Sequence, residues 1–257
     1  MIEVSLIMPA FNEQENIQEA IREALEVFDF ETIEAEILIV NDCSTDRTKE
    51  IVENLREKDR RIKLINHDIN KGFGQAFWTG VDHASGEIIT SLPGDNENDP
   101  KEIFRYYKLL EHVDIVIPFI YNKECRSLFR NFLSLAYRFI INSTFATYLN
   151  YTNGNVIYRA SILKSLKYRD TSFFFQTDIL IRLIKSGFLF AEVPYRIKVR
   201  GGGKSSAVNF PSFFRVVKGY FSLIGSIYSF SLFSKKSKNN FFPAQTLTAS
   251  RRIENKL

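Results

Sequence analysis

In Glu87-Ile88-Ile89-Thr90-Ser91-Leu92-Pro93-Gly94-Asp95-Asn96-Glu97-Asn98-Asp99-Pro100, an apolar run of strand length stops at Pro-Gly, and three carboxylates follow within five residues. Open α/β sheets bind ligands in the crevice beyond the carboxyl ends of their strands. Carboxylates gathered there suit a hard divalent cation, which takes oxygen ligands and shares them with a substrate's phosphates. Local structure gives a second account of the same residues: a solvated acidic turn, with Asp99 capping a helix that Pro100 opens. The flanking sequence separates the two accounts.

Outward from this turn, short apolar runs alternate with helical periods. Val4 to Met8 reads as a strand, Glu13 to Phe28 as an amphipathic helix, and Ile37 to Val40 as a buried strand. A helix from about Asp46 to Lys58 follows, then a strand from Arg61 to Ile65 and a helix from Gly74 to Ala84. Ile88 to Leu92 and Asp114 to Pro118 are further strands, separated by the helix that starts at Pro100. This alternation predicts an α/β fold with a mostly parallel sheet flanked by helices. The second half predicts a helix over Ser127 to Tyr148, a strand over Asn155 to Tyr158 and a helix over Gln176 to Lys185. Extended segments follow at Phe188 to Val193 and Tyr195 to Val199.

At 257 residues the chain is one large domain or one domain with an appendage. The net charge of +4 concentrates in a basic tail, but no nucleic-acid module accompanies it, so no nucleic acid is expected as a partner. Cys43 and Cys125 lie far apart, without ligand spacing or a disulfide framework, which fits a reducing cytosol. The chain opens directly on a strand-like run, so no leader peptide is expected.

Three loops fall where the predicted strands end. In Pro9-Ala10-Phe11-Asn12-Glu13 the proline stops the strand, Phe11 offers a stacking face and Asn12 suits a helix cap. In Asn41-Asp42-Cys43-Ser44-Thr45-Asp46 the helix cap falls to Asp46, leaving Asp42 to accept from a base N–H or a ribose hydroxyl. In Asn70-Lys71-Gly72-Phe73-Gly74-Gln75-Ala76, Gly72 and Gly74 permit positive φ and close backbone approach. The third loop is neither a dinucleotide fingerprint nor a P-loop, because it lacks a third glycine and a closing Gly-Lys-Ser/Thr.

Taken in order, these loops and Gly94-Asp95-Asn96-Glu97 resemble the family 2 glycosyltransferases with the GT-A, Rossmann-like fold. Phe175-Gln176-Thr177-Asp178, Gly187, Glu192-Val193-Pro194, Arg200 and Lys204-Ser205 resemble the polyprenyl-phosphate sugar transferase branch, of dolichyl-phosphate mannosyltransferase type. The resemblance covers roughly residues 4 to 206. It implies a nucleotide-diphosphate sugar donor, Mg2+ or Mn2+ as cofactor, and inversion at the anomeric carbon. By the same resemblance, Pro9, Phe11, Glu13, Asp42, Gly72, Gly74 and Asp95 bind the nucleotide sugar, and Asp95 with Glu97 holds the metal. The family's first metal-motif Asp is Pro93 here, whereas Glu97 stands where the branch has Gln. Arg200 and Lys204 match basic residues that meet the donor diphosphate; a solvated basic loop is the other account of them.

Gln176 and Asp178 are the remaining catalytic candidates. Asp178 stands where alcohol-using relatives carry a general base, although Thr177-Asp178 at a helix start also complements the macrodipole. An acceptor phosphate is already ionised and needs no strong base. Arg126, Arg130, Ser134 and Arg138 recur in steps of four beside Leu128, Phe129, Phe132 and Phe139. That pattern fits either an interfacial helix meeting a lipid phosphate or a core helix with snorkelling arginines. Arg126 and Arg130 match the branch's acceptor-phosphate arginines.

Ser212 to Phe233 predicts an amphipathic helix, whose Arg215 and Lys218 leave about fifteen uncharged residues, short of the roughly 20 that span a bilayer. It is expected to lie in the membrane interface, with Lys235, Lys236 and Lys238 near anionic headgroups. Packing on the catalytic domain or on a second subunit, giving a homo-oligomer, is the alternative. The last twenty-odd residues are expected to be poorly ordered. Together these readings predict a catalytic domain over 1–206 and an interfacial helix with a basic tail over 207–257. The expected location is cytoplasmic, peripheral on the inner face of the cell membrane. The expected acceptor is a polyprenyl phosphate; a hydroxyl of a surface glycan, or nucleotide-sugar binding without turnover, stays open.

Overall fold

The computed structural model describes residues 2–198, 210–229 and 242–254. Seven strands form one sheet: β1 (Val4–Ala10), β2 (Ala35–Asn41), β3 (Ile62–Asn66), β4 (Ile88–Ser91), β5 (Ile115–Ile120), β6 (Ile157–Arg159) and β7 (Phe190–Tyr195). Their order is β3-β2-β1-β4-β6-β5-β7. The β3-β2-β1-β4 half is parallel, β6 runs antiparallel to both β4 and β5, and β5 pairs parallel with β7. β1 and β2 are buried along their whole length, as strands covered on both faces must be.

Alternate side chains of these strands feed two cores. Leu6, Met8, Ile37 and Ile39 pack with Phe28, Val52 and Phe104 beneath α1 (Ile17–Glu31), α2 (Thr48–Arg56) and α4 (Pro100–Phe104). Ile7, Leu38 and Val40 meet Phe77, Trp78 and Leu180 from α3 (Phe73–His83) and a later helix, Phe175–Ser186. The second half adds α5 (Leu128–Phe145), α6 (Ala160–Ser165), α7 (Phe175–Ser186), α8 (Phe210–Ile224, continued as a π turn over Gly225–Ser229) and α9 (Leu247–Glu254). α6 has no counterpart in the sequence reading; its six residues are too few to show a helical period.

Two local expectations are corrected. The first helix starts at Ile17, and Asn12 does not cap it: Asn12 sits at φ 57° and accepts from the Thr45 N–H at 2.8 Å. The chain end is ordered over residues 242–254, because buried Asp114 caps α9. Asp114 accepts from Leu247 N at 2.7 Å, from Thr248 N at 3.0 Å and from the Thr248 hydroxyl, while Arg159 Nε lies 3.2 Å from it. Of the predicted helix over Ser212 to Phe233, the part beyond residue 229 lies outside the described residues, as do Lys235, Lys236 and Lys238.

Candidate active site

The site lies along the carboxyl edge of the parallel strands. There the loops after β1 and β2 are laced together: Asn12 N donates to Ser44 Oγ at 3.0 Å, Glu13 N to Thr48 Oγ1 at 2.8 Å and Gln14 N to Asp46 Oδ2 at 3.1 Å. Asp46 also accepts from Thr48 N at 2.9 Å, from one residue ahead of Arg47, which holds the N-cap position expected for Asp46. The Glu13 carboxylate takes the Asn16 amide at 2.9 Å, Pro9 is buried in its strand and Phe11 stands 47% exposed. Pro9 O accepts from Gly94 N at 3.0 Å, tying the first loop to the acidic turn. Gly94 packs tightly there, since a Cβ would lie 2.7 Å from Ile17 Cδ1.

Asp42 is buried and faces inward along the glycine loop. Its carboxylate accepts from Lys71 N at 2.8 Å and Gly72 N at 2.7 Å, and lies 2.7 Å from His67 Nδ1. His67 Nε2 in turn meets Thr79 Oγ1 at 2.9 Å. Gly72 has φ +86°, the left-handed conformation its position requires. Gly74 admits no side chain, because a Cβ would lie 2.4 Å from Thr171 O. Asp42 therefore fixes the loop that enters α3; nothing in the sequence announced His67 as its partner.

A cleft of about 210 Å³ opens beside these loops. Asp95 and Glu97 line it from the acidic turn, Gln176 from the start of α7, and Arg126 and Arg130 from the entrance to α5. Asp95 Oδ1 accepts from Glu97 N at 3.1 Å, which orders the turn, and Asp99 accepts from Lys101 N at 2.9 Å as the helix cap with Pro100 behind it. Pro93 also borders the cleft. Arg126 Nε is buried without a hydrogen-bond partner among the described residues, and its guanidinium lies 5.9 Å from the centre of the Tyr151 ring. An unsatisfied cationic donor at a cavity wall is suited to an anion. Lys198, Tyr151, Asn153 and Asn155 also line it and were not picked out by the sequence reading as site residues.

Asp178 is not among the residues that line this cleft. It is 1% exposed and its carboxylate pairs with Arg182 Nε at 2.8 Å, on the side of α7 where Arg182 also reaches Ser226 beyond α8. Burial raises its pKa, an effect that Arg182 opposes. Arg200 and Lys204 lie outside the described residues. Between Gln176 and Asp178, Thr177 Oγ1 sits 2.8 Å from the Tyr137 hydroxyl, 3.0 Å from Thr152 Oγ1 and 3.0 Å from Asn153 Oδ1. This buried knot joins α5, the loop before β6 and α7; burial pushes the Tyr137 phenol up to about 12.

On α5, Leu128, Phe129, Phe132 and Phe139 are 88%, 71%, 65% and 71% exposed, which excludes a core helix over its first three turns. Ile141 and Phe145, near its end, are buried. Among the described residues no helix is long and apolar enough to cross a membrane.

Comparison with known proteins agrees with this layout. The undecaprenyl-phosphate 4-deoxy-4-formamido-L-arabinose transferase of Salmonella choleraesuis is 34% identical over 145 residues, 55% of this chain and 43% of that protein. The dodecaprenyl-phosphate galacturonate synthase of Rhizobium johnstonii is 30% identical over 173 residues, 65% of this chain and 50% of that protein. The chain thus matches half or less of the length of these relatives. Among solved structures, glucosyl-3-phosphoglycerate synthase from Mycobacterium tuberculosis in complex with uridine diphosphate superposes with a TM-score of 0.68 at 17% identity. That match covers 87% of this chain and 80% of the other, and it shows the GT-A fold alone. The signature of "Glycosyl transferase family 2" matches residues 5–167, and the chain belongs to that family.

Proposed function

We propose that this chain transfers a sugar from a nucleoside diphosphate to a polyprenyl phosphate at a membrane surface. One observation carries the reading: a single cleft is lined by Asp95, Glu97 and Gln176 together with Arg126 and Arg130. The carboxylates suit a metal-bound diphosphate, and the arginines suit a second phosphate. The relatives named for undecaprenyl and dodecaprenyl phosphate support the same acceptor class.

The donor set fits a divalent cation. Mg2+ is commonly held by one or two carboxylates plus substrate phosphates, and Asp95 with Glu97 supplies two at one cavity wall. Among the described residues no cluster of three or more such ligands exists, in keeping with Pro93 at the first motif position. Mg2+ or Mn2+ would be held by Asp95 and Glu97 and would neutralise charge developing on the leaving β-phosphate. In the M. tuberculosis synthase, Mn2+ accompanies uridine diphosphate.

An oxygen of the acceptor phosphate attacks the anomeric carbon as the bond from that carbon to the β-phosphate oxygen breaks, inverting the centre. Arg126 and Arg130 hold the acceptor phosphate in line, and Gln176 orients the sugar or metal from the start of α7. Arg200 and Lys204 would stabilise the departing diphosphate. The acceptor is already an anion, so the buried, Arg182-paired Asp178 is not required as a base. The exposed rings of α5 rest in the bilayer interface beside the arginines, with α8 and the basic tail as further contacts. On this reading the enzyme is peripheral, on the cytoplasmic face of the membrane.

The test is a panel of radiolabelled sugar nucleotides incubated with membrane lipid extract and Mg2+ or Mn2+. The expected result is label in the organic phase, lost in Arg126→Ala. Label confined to water-soluble glycan would favour a hydroxyl acceptor, and donor binding without any product would overturn transfer itself.

A further inference from the structure

Asn155 stands two residues before β6, which pairs antiparallel with β4 at Ile88↔Arg159 and Ile89↔Tyr158, and Val156 N donates to Gly154 O at 3.0 Å to close a tight turn over it. Gly154 is pinned against β5, since a Cβ would lie 2.7 Å from Pro118 O. Asn155 is 7% exposed, lines the cleft and has an Nδ2 buried without a hydrogen-bond partner among the described residues. Leaving a buried amide donor unmade costs free energy, so the group is suited to an acceptor oxygen arriving from the cavity.

The neighbours limit what that oxygen belongs to. Gln176 and Asn153 line the same cleft, so three neutral amides share it with the charged groups Asp95, Glu97, Arg126 and Arg130. Neutral amides recognise hydroxyl and carbonyl oxygens, whereas phosphates are met by the arginines. With the carboxylates and arginines of this cleft read above as partners of the two phosphates, its amides are left for the sugar that passes between them. We infer that Asn155 reads the sugar of the donor, donating from Nδ2 to a ring hydroxyl or a carbonyl substituent, and that it determines which sugars are accepted. This rests on the donor-site reading above.

Calorimetric titration of the full chain, with Mn2+ present, uses UDP, GDP and a set of UDP- and GDP-sugars that includes epimers and deoxy analogues. Asn155→Ala is expected to leave affinity for the free diphosphate within about twofold while weakening the preferred nucleotide sugar by about 5- to 20-fold, the range of one lost hydrogen bond. The deoxy analogue that lacks the recognised oxygen is expected to bind wild type and variant equally. Asn155→Leu, which is close in shape, neutral and lacks the donor, is expected to show the same selective loss and covers the case in which alanine disturbs folding. Equal weakening of diphosphate and nucleotide sugar, or no weakening of either, would overturn the inference alone. Absence of binding by wild type to every nucleotide sugar would overturn the donor-site reading with it.

Discussion

Asp42 and Glu36 show how a carboxylate is read differently by sequence and by structure. Asp42 was legible as a strand-end acid free of capping duty, yet its loop partners lie 29 and 30 residues away and no local pattern reveals them. Its two oxygens hold the amides of Lys71 and Gly72, so Asp42→Asn, with one acceptor oxygen, is expected to release at least one of them. Hydrogen exchange at Lys71 and Gly72 should accelerate while the amides of β1 stay protected; unchanged exchange at both would show that the clamp is dispensable. Glu36 sits at the opposite end of β2, accepting from Ser5 Oγ at 2.6 Å and Ser85 N at 2.7 Å, with Lys63 alongside. Burial opposes its charge, but these partners together hold its pKa down to about 2 from 4.5. Its stabilisation is therefore complete above about pH 4.5 and is lost as pH falls toward 2. Glu36→Gln should lower stability by roughly 1–3 kcal/mol at pH 7, with wild-type and variant urea midpoints converging near the acid limit.

At the scale of elements, periodicity placed every strand within a few residues, because buried β-branched runs bounded by Pro, Gly and Asn leave little choice. It failed where local pattern is short or ambiguous. α6 was too brief to register, and β6 was placed but its antiparallel direction between β4 and β5 was not, since pairing direction leaves no mark in three residues. α5 is the opposite case: a strong pattern that admitted two burials. Steps of four put Arg126, Arg130 and Arg138 near one face, but only the fold shows that the phenylalanine face is left exposed by the described residues. Each ring transferred from water to an apolar phase is worth up to about 1.5–3 kcal/mol. Replacing Phe129, Phe132 and Phe139 together by Ser should reduce co-sedimentation with anionic vesicles at least about tenfold, with far-UV circular dichroism unchanged. Retained vesicle binding would place the membrane contact elsewhere.

For the molecule as a whole, the site occupies the carboxyl edge of the sheet, whereas the chain end is fastened at the other. Asp114 precedes β5, and its carboxylate captures the first turn of α9, while Leu189 N donates to Thr248 Oγ1 at 3.0 Å. Arg252 stacks on Phe242 and Phe242 packs edge-on against Phe188, closing the segment onto the body. The sequence pointed to disorder here because the segment is short and polar. Its order comes from one buried acid 133 residues away, which periodicity cannot sense. The same limit explains the site: loops with local signatures were found, whereas Tyr151, Asn155 and Lys198 reach the cleft only through tertiary placement. Opposite ends of one sheet imply separable roles for stability and catalysis. Asp114→Ala removes a fully buried carboxylate with partners on every side and should cost about 3–5 kcal/mol, lowering the urea midpoint sharply. Nucleotide-sugar affinity of the protein that remains folded should stay within about twofold of wild type, since additivity holds for distant sites without shared partners. A fall in affinity matching the loss of stability would instead couple the chain end to the donor cleft through the β5 strand that runs between them.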